Sequence, residues 1–254
     1  MSDLQFHQFP CLSDNYGVLV HNPDSGETFS VDAPDADAVL AACGDTGWKL
    51  THILVTHHHD DHVQGIAKVK AETGAMVIGP ANPQIADIDR TVAEGDTIDL
   101  VGEAVQVIAT PGHTLDMLNY YLPKAGAVFA GDTLFAMGCG RVFEGTPAMM
   151  WDSLKKLMAL PPETKVYCGH EYTLANAKFS MTVDGTNPDL VKRLAEVEAL
   201  RAAGQPTLPT TIGLELKTNP FLRAADPAIR ANLGMDNDGD AEVFTEIRER
   251  KNRG

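Results

Sequence analysis

Seven consecutive residues, from Thr56 to His62, carry four histidines and two aspartates. Within them His57, His59, Asp61 and His62 follow the order His-x-His-x-Asp-His. Imidazole and carboxylate groups are ligands that suit zinc, iron and manganese. Alternation by two places His57 and His59 on one side of an extended segment, while Asp61 and His62 continue onto the other side. The segment therefore predicts a metal site that could serve two ions.

A histidine run can also be a purification tag, a solvated surface patch or a low-complexity tract. This run instead follows an apolar stretch, Ile53–Val55, and precedes a helix-like stretch, Gln64–Lys70. A buried strand that ends in polar side chains is typical of the sites that α/β proteins build at the carboxyl ends of their strands. The metal site is the favoured interpretation.

Three further candidate ligands each follow an apolar strand: His113 after Val105–Thr110, Asp132 after Ala127–Ala130, and His170 after Val166–Cys168. Gly112 permits a turn that is closed to larger residues and directs His113 from the strand end. Taken singly, a Gly-His or Gly-Asp pair at a strand end is more often a simple turn. Four such strand ends in one ordered series favour a shared metal site.

The elements that must position these residues alternate along the first two thirds of the chain. Early strands at hairpin spacing and later strands alternating with helices favour a mixed sheet within an α/β (α+β) fold. The predicted strands are 17–21, 28–32, 51–55, 76–79, 104–110, 119–122, 127–130 and 165–168, and the predicted helices are 36–42, 65–73 and 149–160.

From about Tyr172 the pattern changes to helix and loop. Asn187-Pro188 predicts an N-cap followed by proline at the first helical position, and Gly204 predicts the end of that helix. A Pro/Thr-rich connection at 206–220 leads to predicted helices at 226–232 and 241–251. We therefore expect a catalytic domain over 1–172 and a small helical substrate-binding domain over 173–254.

Composition and charge limit the classes of partner. The 254 residues carry 20 basic and 35 acidic side chains, a formal net charge of −15. A nucleic-acid enzyme needs a basic surface, so this balance argues against DNA or RNA, and against anionic membranes. The N-terminus lacks a basic segment followed by an apolar one, and the four scattered cysteines form no CxxC pair. We expect reduced thiols, a cytoplasmic location and a monomer that acts on a small molecule.

These motifs resemble those of the metallo-β-lactamase superfamily, and within it those of the glyoxalase II family of hydroxyacylglutathione hydrolases. The resemblance implies an αββα sandwich with a small C-terminal helical domain. It also implies a site for two divalent ions, zinc first and iron or manganese as alternatives. By this resemblance His57, His59 and His113 hold one ion, Asp61, His62 and His170 hold the second, and Asp132 bridges them.

The family resemblance rests on Asp14-Asn15-Tyr16, Gly138-Cys139-Gly140-Arg141, Gly169-His170-Glu171-Tyr172-Thr173, Asn219-Pro220-Phe221-Leu222-Arg223 and Arg248-Glu249-Arg250-Lys251. It implies that glutathione is held by Arg141, Tyr172, Arg248 and Lys251. Two positions depart from the family pattern. Arg141 stands where lysine is common, and Phe143, at a position in the binding loop where tyrosine is common, offers no phenolic hydroxyl.

We therefore expect hydrolysis of S-D-lactoylglutathione and related 2-hydroxyacyl-glutathione thioesters to D-lactate, or the related acid, and glutathione. A hydroxide between the two ions would attack the thioester carbonyl, with Asp61 and Asp132 as the catalytic side chains. The alternatives within the superfamily are a persulfide dioxygenase, a lactonase or a β-lactamase. The alternative outside enzymology is a metal- or glutathione-binding protein without catalysis.

Overall fold

The computed structural model describes residues 3–254. They form two compact units. The first unit contains the chain up to Ala109 together with Asp116–Gly131, and the second contains Thr110–Leu115 together with Asp132–Gly254. None of the helices within residues 3–254 combines the length and the apolar character that crossing a membrane requires.

The strands are β1 (Gln5–Cys11), β2 (Asn15–His21), β3 (Thr28–Val31), β4 (His52–Leu54), β5 (Met76–Gly79), β6 (Arg90–Thr91), β7 (Thr97–Leu100), β8 (Glu103–Ala109), β9 (Leu118–Leu122), β10 (Ala127–Phe129), β11 (Leu134–Phe135), β12 (Gly138–Cys139), β13 (Lys165–Tyr167) and β14 (Thr210–Thr211). The helices are α1 (Ala36–Thr46), α2 (Asp60–Val63), α3 (Ile66–Thr73), α4 (Pro147–Met158), α5 (Thr173–Asp184), α6 (Pro188–Ala202), α7 (Ile212–Thr218), α8 (Pro227–Leu233) and α9 (Asp240–Arg253), with a 3₁₀ turn at Pro220–Leu222.

The first unit contains two sheets. One has the strand order β1-β2-β3-β4-β5-β6, antiparallel over β1–β3 and parallel from β3 to β6. In the other sheet, neighbouring strands from β7 to β10 pair in chain order, and all these pairs are antiparallel. The ring of Phe29 on the first sheet meets Phe129 on the second edge to face at 5.8 Å. The predicted mixed sheet is thus confirmed.

Both faces of the first sheet are buried, which explains why its central strands are almost continuously apolar. Leu19, Ile53 and Val77 pack in one core cluster with Val39 of α1 and Val69 of α3. Their strand neighbours point the other way, toward the second sheet, because side chains alternate across a strand. Helices therefore cover one face and β7–β10 cover the other.

The second unit is mainly helical. Asn187 caps α6 by accepting hydrogen bonds from Asp189 N and Leu190 N, and Pro188 fills the first helical position, as predicted from the sequence. Helices α4 and α9 pack through Trp151 and Phe244, whose rings stack at 5.7 Å. A smaller core beneath α5 and α6 includes Leu190.

Several parts of the sequence prediction were wrong, since it also lacked α5, β6, β7, β11, β12 and β14. The connection at 206–220 contains a further helix, α7, which begins where Thr211 accepts a hydrogen bond from Leu214 N. Strand β1 was not predicted because Pro10 interrupts its pattern; it lies at the edge of the sheet, where a missing N–H is tolerated.

Candidate metal centre

The histidine segment begins two residues after the buried end of a parallel strand. Strand β4 ends at Leu54, and extended backbone continues to His59, whose φ and ψ are −61° and 140°. Asp60 then begins the short helix α2, so Asp61 and His62 lie on a helical turn. The expectation of one extended segment was wrong here, because the aspartates at 60 and 61 favour the positive end of a helix.

Asp32, which sequence reasoning did not select, organises the buried side of this segment. Its Oδ2 atom lies 2.7 Å from His62 Nδ1 and accepts a hydrogen bond from Thr56 Oγ1 at 2.8 Å, while Oδ1 accepts one from Thr56 N at 2.7 Å. A carboxylate only accepts, so His62 carries its proton on Nδ1. Thr56 Oγ1 has donated its single hydrogen, so it accepts from His57 Nδ1 at 2.9 Å. Asp32 thus leaves the Nε2 lone pairs of His57 and His62 for a metal. Its only sequence signal was an aspartate at the end of a predicted strand.

Asp61 is held from a different strand. Asn15, buried at the start of β2, donates from Nδ2 to Asp61 Oδ2 at 3.1 Å and to Asp61 O at 3.2 Å. The side chain of Asp61 is 42% exposed. Its carboxylate is therefore fixed in orientation and still reachable by water.

The remaining candidate ligands, His113, Asp132 and His170, belong to the second unit, and each follows a strand, β8, β10 and β13 respectively. Gly112 has a φ of 154°, and a Cβ atom there would lie 2.8 Å from the Met150 side chain, so the turn before His113 requires glycine. Asp132 Oδ2 lies 3.5 Å from His113 Nε2 and 3.3 Å from His170 Nε2. The other ring nitrogen of His113, Nδ1, donates to Arg141 O at 2.8 Å. In neutral His113 the lone pair is therefore on Nε2, as it is in His57 and His62.

Within the first unit the donor atoms lie close together: His57 Nε2 is 3.1 Å from His59 Nδ1, and His62 Nε2 is 3.8 Å from Asp61 Oδ2. Within the second unit, Asp132 lies close to both His113 and His170.

The chemistry of these donors fits divalent metal ions. They are imidazole nitrogens and carboxylate oxygens without thiolate, a set that accepts zinc, iron or manganese. Metal-binding histidines in proteins bond their outer nitrogen to a carboxylate or a carbonyl, which fixes the tautomer and the ring orientation. His62 and His113 do so here, through Asp32 and the Arg141 carbonyl.

The aromatic residues predicted to bind substrate lie against the ligand histidines. The Tyr172 ring stacks on His170 at 4.6 Å with an interplanar angle of 2°. Phe143 is 62% exposed and meets the His113 ring edge to face at 5.3 Å. A molecule that covered these two rings would lie beside the candidate ligands.

The predicted cationic residues differ in their surroundings. Arg141 is exposed, whereas Arg248 is buried and donates from Nη1 to Cys139 O at 2.8 Å. Lys251 is half-buried, with Nζ 3.3 Å from Ala175 O. Burial, together with the charges of Arg248 and Arg141, lowers the pKa of Lys251 below 10.5. Burial raises the pKa of the Cys139 thiol, as is usual for a cysteine in a protein core.

Comparison with known families accounts for nearly the whole chain. A family model described as the metallo-beta-lactamase superfamily matches residues 24–170, and one described as the hydroxyacylglutathione hydrolase C-terminus matches residues 171–254. The hydroxyacylglutathione hydrolase of Maricaulis maris (strain MCS10) is 54% identical over 253 residues, which is 99% of both chains. That of Mesorhizobium japonicum is 55% identical over 250 residues, 98% of both chains.

Solved structures give the same fold. The crystal structure of ETHE1 from Myxococcus xanthus aligns with a TM-score of 0.70 and 28% identity, and covers 96% of this chain and 90% of that one. The structure of TTHA1623 in a di-iron-bound form aligns with a TM-score of 0.61 and 26% identity, covering 85% of this chain and 98% of that one. The predicted metallo-β-lactamase fold with a C-terminal helical domain is confirmed. This chain belongs to the hydroxyacylglutathione hydrolase family of the metallo-β-lactamase superfamily.

Proposed function

We propose that this protein hydrolyses S-D-lactoylglutathione and related 2-hydroxyacyl-glutathione thioesters to the free 2-hydroxy acid and glutathione. The observation that carries the proposal is the match of residues 171–254 to the C-terminus of the hydroxyacylglutathione hydrolases. The metal-binding part belongs to a superfamily that includes enzymes with other activities, so the C-terminal part carries the specificity for glutathione.

We propose that two divalent ions bind here, zinc first and iron or manganese as alternatives. His57, His59 and His113 would hold one ion, Asp61, His62 and His170 the other, and Asp132 would contact both. The short distances among the donor atoms within each unit support a metal centre. Bound ions of this kind acidify water and polarise a carbonyl oxygen, so a thioester needs no serine or cysteine nucleophile.

Asp61 and Asp132 are the proposed catalytic side chains, with different tasks. Asn15 fixes Asp61 Oδ2, and the part-exposed carboxylate can accept a hydrogen bond from the attacking water and orient it. Asp132 places its Oδ2 atom within 3.5 Å of two ligand nitrogens. The thiol of the leaving group has a pKa of about 8.5 by analogy with cysteine, so it can leave as the thiolate without a general acid to protonate it.

Glutathione would lie along Phe143 and Tyr172, with its carboxylates near Arg141 and Lys251. Arg248 was also predicted to bind glutathione, but it is buried and would support this region from the interior. The contacts of both aromatic rings with ligand histidines support this placement. The net charge of −15 does not oppose it. At about 0.15 M salt the Debye length is about 8 Å, so local cations outweigh distant carboxylates.

We further propose that residues 1–172 form the catalytic domain and residues 173–254 the substrate-binding domain. The bounds of the two family models support this division. We also propose a cytoplasmic monomer. Four free cysteines suit a reducing compartment, and size-exclusion chromatography with light scattering tests the oligomeric state.

The decisive experiment is a turnover assay on purified protein before and after metal removal. With zinc, iron or manganese restored, S-D-lactoylglutathione should release a thiol that a chromogenic thiol reagent detects, and chelation should abolish the release. Glutathione persulfide with an oxygen electrode, a lactone and a β-lactam serve as comparison substrates. Full thioester hydrolysis by the metal-free protein would refute the proposal, as would oxygen consumption without thioester hydrolysis.

A further inference from the structure

A short hairpin lies between two of the candidate ligands along the second unit. It consists of β11 and β12 with the turn between them, residues 134–139, and we call it the ligand hairpin. It begins two residues after Asp132 and ends two residues before Arg141, whose carbonyl accepts from His113 Nδ1 at 2.8 Å. A Cβ atom on Gly140 would lie 2.0 Å from Asp132 O and 3.0 Å from His113 Nδ1. The backbone that leaves the hairpin is therefore packed directly against both ligands.

The ligand hairpin is buried, so its backbone polar groups need partners inside the protein. A two-stranded ladder of this length satisfies few of them. Side chains from the C-terminal helices satisfy six more. Asn176 donates to Ala136 O (3.1 Å), Ser180 donates to Met137 O (3.1 Å), Glu215 accepts from Met137 N (2.7 Å), Asn219 donates to Phe135 O (3.2 Å) and Gly138 O (2.9 Å), and Arg248 donates to Cys139 O (2.8 Å).

Glu215 and Asn219 join these contacts into one network. Asn219 Nδ2 lies 3.0 Å from Glu215 Oε2, the same oxygen that accepts from Met137 N. Glu215 Oε1 accepts from Thr210 Oγ1 at 2.6 Å. Both Glu215 and Asn219 are at most 1% exposed, so water cannot replace a lost partner without opening the core. The hairpin is thus fixed along both strands and at its turn.

We propose that Asn219, Glu215 and Arg248 are positioning residues for the metal ligands Asp132 and His113. The C-terminal helices would then set the affinity for metal, in addition to any contact with substrate. The path runs from the helices through the ligand hairpin to Gly140 and Arg141, and from there to the two ligands. This inference rests on the proposed metal centre, and its test does not depend on the identity of the substrate.

The test compares Asn219→Ser with Asn187→Ser. Both asparagines are buried N-caps whose amides donate to a backbone carbonyl, and serine preserves the cap. Only Asn219 donates to the ligand hairpin. Affinity for Zn(II) is measured on metal-free protein by competition with a chromophoric chelator, and ligand geometry by the visible absorption of the Co(II)-substituted protein. Urea unfolding of the metal-free protein measures stability.

We expect Asn219→Ser to bind Zn(II) about tenfold more weakly than the unaltered protein and to have an altered Co(II) spectrum. Loss of a residue that positions a metal ligand typically weakens metal binding by about 10- to 100-fold, and Asn219 acts through the hairpin, so the smaller value applies. Asn187→Ser should lower the urea midpoint but keep both metal properties. Wild-type metal affinity and spectrum in a folded Asn219→Ser variant would overturn the inference and leave Asn219 a purely structural residue.

A second pair of variants covers the case in which Asn219→Ser does not fold. Arg248→Met removes the donor to Cys139 O and keeps the aliphatic length, and Arg223→Met removes an arginine that pairs with Asp184 and Asp226 instead. The inference is supported if Arg248→Met binds Zn(II) more weakly than the unaltered protein and Arg223→Met does not. It is contradicted if the two variants bind Zn(II) with the same affinity. If the unaltered, metal-loaded protein does not hydrolyse the thioester, the proposed function fails while this comparison of metal affinities still stands.

Discussion

Asp32→Asn tests whether one carboxylate fixes the tautomers of two ligand histidines. Asp32 Oδ2 lies 2.7 Å from His62 Nδ1 and accepts from Thr56 Oγ1 at 2.8 Å, while Oδ1 accepts from Thr56 N at 2.7 Å. An asparagine of the same shape has one acceptor and one donor in place of two acceptors. The Asp32→Asn variant therefore cannot accept all three hydrogen bonds, and which ones it loses depends on the orientation of the amide.

The two orientations of the new amide have different consequences. With its nitrogen toward His62 and Thr56 Oγ1, both partners must accept, and the proton of His62 moves to Nε2, the atom that faces the other ligands. With its nitrogen toward Thr56 N, the histidine keeps its metal-binding tautomer but a buried backbone N–H loses its acceptor. The metal-free protein can adopt the first orientation, whereas the metal-bound protein must adopt the second. The difference is about 1–3 kcal/mol, which corresponds to roughly 5- to 150-fold weaker metal binding.

The assay is equilibrium binding of Zn(II) to metal-free protein by chelator competition, with urea unfolding as a measure of folding. Asp35→Asn is the matched control, because Asp35 caps α1 by accepting from Asp37 N and Ala38 N, and asparagine caps equally well. We expect the control to bind metal with unaltered affinity. A folded Asp32→Asn variant with the same affinity would refute the assignment of the histidine tautomers to Asp32.

Three further predictions follow from the site. His57→Ala and Asp132→Ala should each lower thioester hydrolysis more than about 100-fold, because losing a ligand should cost more than losing a residue that only hydrogen-bonds to a ligand. Elemental analysis should show a matching loss of bound metal, and normal metal content would contradict their role as ligands. The proposed role of Lys251 in binding anionic glutathione needs the protonated side chain, and because its pKa is lowered from 10.5, KM should begin to rise at a lower pH than it would with an exposed lysine. In Lys251→Arg the pH profile of KM should be flatter, because arginine stays charged, whereas an unchanged profile would remove Lys251 from substrate binding. Gly140→Ala should lower both metal affinity and the free energy of unfolding, the latter by about 1–3 kcal/mol in urea denaturation, because its Cβ would overlap Asp132 O; wild-type values would contradict the packing described.

Prediction from the sequence was most successful where the determinant is local. The N-cap of α6 was predicted from Asn187-Pro188, since a side-chain acceptor and a residue without N–H satisfy a helix start within a few residues. Helix α7 was missed because prolines and threonines around it are typical of loops, and only the capping contact of Thr211 shows that a helix begins there. The distance relations among the predicted ligands were beyond prediction from spacing alone.

By itself the sequence determined the types of candidate ligand and the strand ends that carry them, because four strand ends with histidine or aspartate in one ordered series favour a shared metal site. The resemblance of its motifs also identified the family. Only the tertiary structure decided which ring nitrogen of each candidate ligand histidine is bonded to a neighbouring protein group. Asp32 reaches His62 across 30 residues, and Arg248 reaches Cys139 across 109. Such contacts depend on how strands and helices pack, and no local pattern in the chain encodes the distance between two residues that far apart.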